Sequence, residues 1–114
     1  MITETLLADL HSHTTASDGQ LTPTELLTRA IEKGVEMFAI TDHDTVGGLA
    51  EAHLANQNHA TPLLLINGCE ISTRWNSFDI HIVGLNLDIA HTGLLEFLTH
   101  QRELREVRAQ EIGE

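Results

Sequence analysis

Short apolar segments alternate with polar turns along this chain, and their lengths predict a repeating order of strand, turn and helix. Residues 6–10 form an apolar stretch that predicts a strand, and a polar loop follows at 11–20. Residues 22–25 read Thr-Pro-Thr-Glu, a capping box that predicts the start of a helix. Gly34 is placed to end that helix. The buried face of this helix is predicted from one apolar stripe, made of Leu26, Leu27, Ala30 and Ile31.

The same order then repeats further along the chain. Residues 35–40 predict a buried second strand, and 46–57 predict a weaker helix because two glycines stand in its first turn. The apolar run at 63–66 is typical of a strand that is buried on both faces of a parallel sheet. Two short strands follow at 71–73 and 79–85, and a charged helix runs from Thr92 into the last residues. This pattern predicts an α/β fold with a parallel sheet.

Length and composition are typical of a single folded domain without a membrane span. The 114 residues are enough for one hydrophobic core, and no apolar run reaches the roughly 20 residues of a membrane span. The N-terminus lacks the pattern of a secretory signal, so we expect a cytoplasmic protein. The single cysteine, Cys69, cannot form an internal disulfide, and its position predicts a small buried residue on a strand.

The charge of the chain argues against nucleic-acid binding, and its histidines and acidic residues are compatible with metal binding. The formal charge of −11 argues against an extended surface for nucleic-acid backbones. Eight histidines stand beside 17 acidic residues, and these are side chains that a site for several divalent cations uses. An acidic, solubilising surface with scattered histidines is the alternative, and composition alone does not decide between the two.

The first candidate ligands are His11, His13 and Asp18. Side chains at i and i+2 of a strand point to the same face, so two imidazoles separated by Ser12 can converge on one ion. Two surface histidines at this spacing also occur by chance. Asp18 precedes a glycine, and a carboxylate in that position is either a metal ligand or an ordinary stabiliser of a turn.

Further candidates follow later strands. His43 stands between Asp42 and Asp44, and either carboxylate is a candidate to orient the imidazole or to assist proton transfer to the leaving group. Glu70 follows a buried strand, where an unpaired carboxylate is costly, although an exposed acid at a strand end is the common case. His81 is flanked by isoleucines, so the alternative to a ligand is a core histidine bonded to the backbone.

Position strengthens the metal interpretation. In α/β sheets, ligands collect at the carboxyl ends of the strands, and most of these candidates follow predicted strand ends. We therefore predict that five residues bind metal, namely His11, His13, Asp18, His43 and Glu70, while His81 stays open between a ligand and a core histidine at this point. The remaining histidines are predicted to be surface residues, and they are His53, His59, His91 and His100.

Four segments carry a resemblance to a known family. They read DLHSHTTASDG, ITDHDTVGG, GCEIS and HIVGL, and in order and spacing they resemble the PHP family, named for polymerase and histidinol phosphatase. The resemblance implies a distorted (β/α)7 barrel related to the TIM barrel, of which residues 1–114 would form the N-terminal part of a single domain. It implies one ion at His11, His13 and Glu70, a second at Glu70 and His81, and a third at Asp18 and His43.

The resemblance also implies a function. The segments are most similar to stand-alone bacterial enzymes that act on nucleoside 3',5'-bisphosphates and on the 5' end of short RNA. This implies a phosphoesterase that uses up to three divalent ions, manganese above all, with zinc, iron or magnesium as alternatives, and a hydroxide that bridges two of them. The family draws further ligands from C-terminal segments without a counterpart here, so we expect weak or no activity from the 114 residues alone.

Two other functions remain open at this point. One is a PHP module that binds metal without catalysis and associates with a DNA polymerase. The other is an enzyme similar to histidinol phosphatase, which shares the chemistry and differs in substrate. No residue of the chain is predicted from the sequence to recognise the substrate.

Overall fold

The structure, a computed structural model, describes residues 6–111. Four strands and three helices follow one another in the order β1, α1, β2, α2, β3, β4, α3. The four strands are Ala8–Asp9, Met37–Ile40, Leu64–Trp75 and Phe78–Leu85. The three helices are Pro23–Glu32, Leu49–Gln57 and Thr92–Glu111. The strands form one sheet in the order β1-β2-β3-β4. None of the helices described is long and apolar enough to cross a membrane.

Helix α1 begins and ends where the sequence predicts. The Thr22 hydroxyl accepts a hydrogen bond from the backbone N–H of Glu25, and the Glu25 carboxylate accepts one from the N–H of Thr22. Gly34 has a φ of +82°, the left-handed conformation that glycine adopts without strain. Leu27 and Ala30 of the predicted stripe are buried. The predicted cap and the predicted end of α1 are therefore confirmed. Both could be predicted because each depends on residues within one turn of the helix.

The core lies between the two first helices and the middle of the sheet. Leu27 of α1 and Leu49 of α2 pack with Phe38 and Ile40 of β2, and all four side chains are at most 2% exposed. Burial of an apolar side chain of this size contributes about 1.5–3 kcal/mol. Helix α2 begins at Leu49, three residues later than predicted. Gly48 occupies its N-cap position, where a glycine has no side chain to accept a capping hydrogen bond.

The first three strands are parallel, as predicted. β1 pairs with β2 through Ala8 and Asp9, and β2 pairs with β3 along its whole length. β1 is shorter than the predicted strand at 6–10. β2 carries three buried side chains in succession, which agrees with the predicted buried strand.

The predicted end of the third strand is wrong. Residues 64–75 form one strand instead of two, because β3 exchanges its partner rather than stopping. It is parallel to β2 as far as Asn67 and antiparallel to β4 from Gly68 onward. Glu70 therefore lies within a strand, and the sheet is mixed. Burial on both faces was also wrong, since Leu64 is 57% exposed.

The strands β3 and β4 form a hairpin. Asn76 and Ser77 connect them with φ values of 50° and 72°, and a two-residue turn with positive φ at both positions matches the twist of antiparallel strands. In this register His81 lies opposite Ser72 and Val83 lies opposite Glu70. The hairpin therefore carries His81 to the same part of the sheet as Glu70.

Substitution of Gly68 tests the close approach of the backbones where β3 changes partner. A Cβ atom there would lie 2.8 Å from Thr41 Cγ2 and 3.1 Å from the carbonyl oxygens of Ile40 and Gly84. We expect Gly68→Ala to lower the free energy of unfolding by about 1–3 kcal/mol because rigid backbone must move. Urea denaturation measures this, and Gly47→Ala, whose nearest neighbour is the Thr45 hydroxyl, is the control. Equal effects of both variants would contradict the expectation.

Candidate metal centre

The loop after β1 is attached to the end of β2 by a buried carboxylate. Asp42 is 2% exposed, and it accepts hydrogen bonds from the backbone N–H and the hydroxyl of Thr14 at 2.6 and 2.7 Å. The hydroxyl of Ser17 donates a third at 2.7 Å. Gly19 lies so close to the carbonyl oxygen of His13 that a Cβ atom at this position would not fit. These contacts hold the segment that carries His11, His13 and Asp18.

Backbone hydrogen bonds align this loop with the next two segments. The N–H of Thr41 donates to the carbonyl oxygen of Ser12 at 2.7 Å. One step along the sheet, Glu70 donates to the carbonyl of Asp42 at 3.0 Å and accepts from the N–H of Asp44 at 2.9 Å. His43 and Glu70 thereby form a parallel bridge beyond the end of β2. Residues far apart in the chain are brought side by side.

The carboxylate of Glu70 lies among four imidazole rings. Its Oε1 is 2.6 Å from His11 Nε2 and 3.4 Å from His13 Nε2. Its Oε2 is 2.9 Å from His81 Nδ1 and 3.5 Å from His43 Nδ1. The Glu70 side chain is 7% exposed, so both oxygens face the protein rather than solvent.

Asp18 adds a second carboxylate on the far side of two of these rings. Its Oδ2 is 3.2 Å from His43 Nε2, and its Oδ1 is 3.9 Å from His13 Nδ1. The rings of His13 and His43 are stacked, with centroids 4.5 Å apart. Both nitrogens of His43 therefore lie near a carboxylate, one beside Asp18 and the other beside Glu70.

The donor atoms fall into three groups that can each hold a cation. In each group the ligand atoms lie within 4.8 Å of one another, and the groups are His11, His13 and Glu70; His13, Asp18 and His43; and His43, Glu70 and His81. The Nδ1 atoms of His13 and His43 are buried without a hydrogen-bond partner among the residues described. Imidazole and carboxylate ligands suit manganese, zinc and iron. The residues present thus fit divalent metal ions.

Two opposing effects act on the Glu70 carboxyl group. Burial disfavours its charged form and would raise the pKa, whereas the hydrogen bond from His11 and the charges of His43, His13 and His11 favour that form. The histidines together outweigh burial, and the pKa of Glu70 lies below its ordinary value. The group is therefore a carboxylate near neutral pH, the form in which it can bind a cation.

Comparison with known proteins identifies the family of the chain. Residues 9–108 match the PHP domain family. The chain belongs to the PHP domain family.

Individual relatives extend the comparison. The PHP domain is 53% identical over 109 residues to the 5'-3' exoribonuclease Rnm of Escherichia coli, covering 96% of this chain and 37% of that protein. It is 46% identical over 105 residues to the 3',5'-nucleoside bisphosphate phosphatase of Chromobacterium violaceum, covering 92% and 36%. The chain thus spans little more than a third of the length of these relatives.

A solved structure shows the same fold. A Bifidobacterium adolescentis protein described as a metal-dependent phosphoesterase superposes with a TM-score of 0.81 at 30% identity, and the match covers 93% of this chain and 36% of that one. The predicted α/β class and its relation to PHP phosphoesterases are confirmed.

The six predicted ligands lie together in this PHP domain. His11 and His81 are 57% and 51% exposed, whereas His13 and His43 are 25% and 15% exposed. One side of the cluster is therefore open to solvent. His81 is not a core histidine, and Glu70 is not an exposed acid. Metal binding by the six residues stays a prediction.

Asp42 and Asp44 lie beside the cluster but face other partners. Asp44 is fully buried, and its Oδ1 accepts from the N–H of Ser72 at 3.1 Å while its Oδ2 accepts from Arg105. Its carbonyl oxygen accepts from Arg102 at 2.8 Å. In the part of the chain described, neither aspartate hydrogen-bonds to the His43 ring. The contacts seen connect both aspartates to neighbouring segments, and their role in orienting His43 or in proton transfer stays a prediction.

Several polar residues around the cluster were absent from the sequence prediction. Thr14 and Ser17 hold the loop through Asp42, and Arg102 and Arg105 of α3 hold Asp44. In the sequence, the three-residue spacing of Arg102 and Arg105 places both on one face of the helix, and this spacing was the signal that could have indicated a shared partner. The histidines outside the six take no part in the three groups, and His53 instead contacts Asn67 Oδ1 at 2.6 Å.

The attachment of the ligand loop can be tested through Asp42. We expect Asp42→Asn to lower the free energy of unfolding by about 1.5–3 kcal/mol, because an amide offers one oxygen where the carboxylate accepts three hydrogen bonds. Chemical denaturation measures the change, and Glu32→Gln at an exposed position of α1 is the control. A stability equal to that of the control would show that the three contacts contribute little.

Proposed function

We propose that the six clustered residues bind divalent metal ions and that the longer protein containing this PHP domain hydrolyses phosphate esters. The observation that carries the proposal is the buried Glu70 carboxylate, which has an imidazole nitrogen within 3.5 Å on four sides. A carboxylate with two oxygens, each facing two rings, is suited to bridging two cations.

The assignment of residues follows the three groups. His11 and His13 would hold one ion with Glu70, His81 would hold a second with Glu70, and Asp18 with His43 would hold a third. Manganese is the ion we propose because of the resemblance to the PHP family, and the imidazole and carboxylate ligands present are compatible with it, as they are with zinc and iron. Bound ions of this kind lower the pKa of water and neutralise phosphoryl oxygens.

The chain itself orients these groups. Asp42 fixes the loop that carries three of the ligands, and the bridge of His43 with Glu70 fixes two more. The exposed rings of His11 and His81 lie at the open side of the cluster, where a phosphate group can approach. Ligands that are held in place in this way can bind ions without rearrangement of the chain.

The substrates that we propose are nucleoside 3',5'-bisphosphates and the 5' end of short RNA. This is supported by the names of the two relatives at 53% and 46% identity. Both names describe hydrolysis of a phosphate ester in a nucleotide. The acidic chain, with a net charge of −11, favours short substrates over long nucleic acids.

Metal content provides the first test. We expect His13→Ala and Glu70→Gln to reduce the manganese that remains with the full-length protein after dialysis, because each removes a donor from two of the three groups. The loss should be at least about one ion per chain, measured by elemental analysis. His100→Ala removes an exposed histidine outside the cluster and should retain the metal. Full occupancy in all three variants would contradict the proposed ligands.

Hydrolysis provides the second test. We expect the full-length protein with manganese to release phosphate from a nucleoside 3',5'-bisphosphate, and His11→Ala or Glu70→Ala to abolish the release. A chelator should stop it, and added manganese should restore it. A protein that binds manganese and releases no phosphate would favour a module of structural function, and release from histidinol phosphate alone would move the substrate to that class.

A further inference from the structure

Asp44, the residue that follows His43, has a backbone conformation that is unusual for a buried residue. Its φ is +52°, in the left-handed region, and the residue is fully buried. The other non-glycine residues described with positive φ are exposed, and they are Asn76, Ser77 and Asn86. A buried residue with a Cβ atom keeps this conformation only where its surroundings hold it there. The contacts of Asp44 therefore indicate what fixes the backbone next to His43.

Strand β3 holds one side of Asp44. The Asp44 N–H donates to the carbonyl oxygen of Glu70 at 2.9 Å, and this hydrogen bond belongs to the parallel bridge between His43 and Glu70. The Asp44 carboxylate accepts a hydrogen bond from the N–H of Ser72 at 3.1 Å. It also accepts one from Arg105 of α3, so a second element takes part.

Arg102 of α3 holds the other side of Asp44. Its Nη1 donates to the Asp44 carbonyl oxygen at 2.8 Å, and its Nη2 donates to the Thr99 hydroxyl at 3.1 Å. The Thr99 hydroxyl in turn donates to the carbonyl oxygen of Leu95 on the same helix at 2.9 Å. A planar guanidinium that makes two such bonds has a defined orientation. The helix thus presents an oriented donor to the backbone of Asp44.

We propose that Arg102 is a positioning residue for the candidate metal centre. By holding the Asp44 carbonyl oxygen, it fixes the left-handed turn directly after His43 and so the place of the His43 ring between two carboxylates. One ring nitrogen lies 3.2 Å from Asp18 Oδ2, and the other lies 3.5 Å from Glu70 Oε2. The inference rests on the proposed function and deepens it, because it gives α3 a part in metal binding.

The packing of the His43 ring explains why the backbone matters. Its Nδ1 atom is buried and has no hydrogen-bond partner among the residues described. The place of the ring therefore depends on the backbone on either side of it. Partners that orient a metal ligand in this indirect way typically contribute about 10- to 100-fold to metal affinity.

The manganese dependence of hydrolysis tests the inference. We expect Arg102→Met, which keeps the length of the side chain and removes its donors, to raise the apparent dissociation constant for manganese of the full-length protein about tenfold. The kcat at saturating manganese should change less than about threefold, because excess metal compensates for a displaced ligand. Arg102→Lys keeps a donor and should recover most of the affinity. Arg29→Gln removes a positive charge from an exposed position of α1 and should change neither quantity.

Hydrogen exchange provides a second readout, which needs neither metal nor substrate. In the metal-free full-length protein, Arg102→Met should accelerate exchange of the Asp44 amide about tenfold, because the turn that holds it loses a contact. The amide of Ala52 in α2, which donates to Gly48, should exchange at an unchanged rate. Mass spectrometry with fragmentation of the peptides measures both amides. A variant that merely unfolds more readily would accelerate both.

Three results would overturn the inference. The first is a manganese dependence that Arg102→Met leaves unchanged. The second is a raised KM for the nucleotide with an unchanged dissociation constant for manganese, which would assign Arg102 to contact with substrate. The third is equal acceleration of the Asp44 and Ala52 amides, which would assign Arg102 to general stability.

Failure of the proposed function is distinguishable from failure of the inference. If the unsubstituted protein binds manganese and hydrolyses nothing, catalysis fails, and calorimetric titration with manganese alone replaces the kinetic measurement. A dissociation constant raised about tenfold by Arg102→Met would then support the inference, and an unchanged one would overturn it. If the unsubstituted protein binds no manganese, the proposed function and the inference are both overturned.

Discussion

The arrangement of this domain depends on one buried carboxylate. Glu70 is almost fully removed from solvent and lies within 3.5 Å of nitrogens from four imidazole rings. A buried charge is costly unless it is neutralised, and here the partners come from three separate segments of the chain. The interaction therefore couples the loop after β1, the end of β2 and the hairpin. The contacts of Glu70 therefore contribute to the stability of this part of the sheet and also to the metal binding that we propose there.

The mixed sheet explains how the segments meet. β2 ends at Ile40, but β3 continues for eight residues beyond Asn67, its last residue paired with β2, and takes β4 as a new neighbour. The extension places Glu70 beside His43 and carries Ser72 opposite His81. The same extension leaves a cavity of about 330 Å³ between the hairpin and α3, lined in part by Arg74, Arg105 and Arg108. One strand thus carries Glu70 of the candidate metal centre and one wall of the neighbouring cavity.

Local features of the fold were predictable from the sequence, and features that need distant partners were not. The capping box at Thr22 and the left-handed Gly34 depend on neighbours within one turn. The continuation of β3 depends on β4, which no pattern inside 63–73 reveals. The contacts of Asp42 join residues 25 and 28 positions apart, and Arg105 reaches Asp44 across 61 positions. Five of the six candidate ligands could be predicted from their positions at strand ends, and His81 from the resemblance of its segment to a family.

The attachment of the loop after β1 has a consequence for the affinity of the site. A loop of this length in free solution samples many backbone conformations, and ordering each residue costs about 1–2 kcal/mol in entropy. The three hydrogen bonds to Asp42 restrict Thr14 and Ser17 during folding. Binding of ions by the ligands on this loop would then require little further loss of conformational freedom. Rigidity that precedes the arrival of the cation would favour tight retention of the metal.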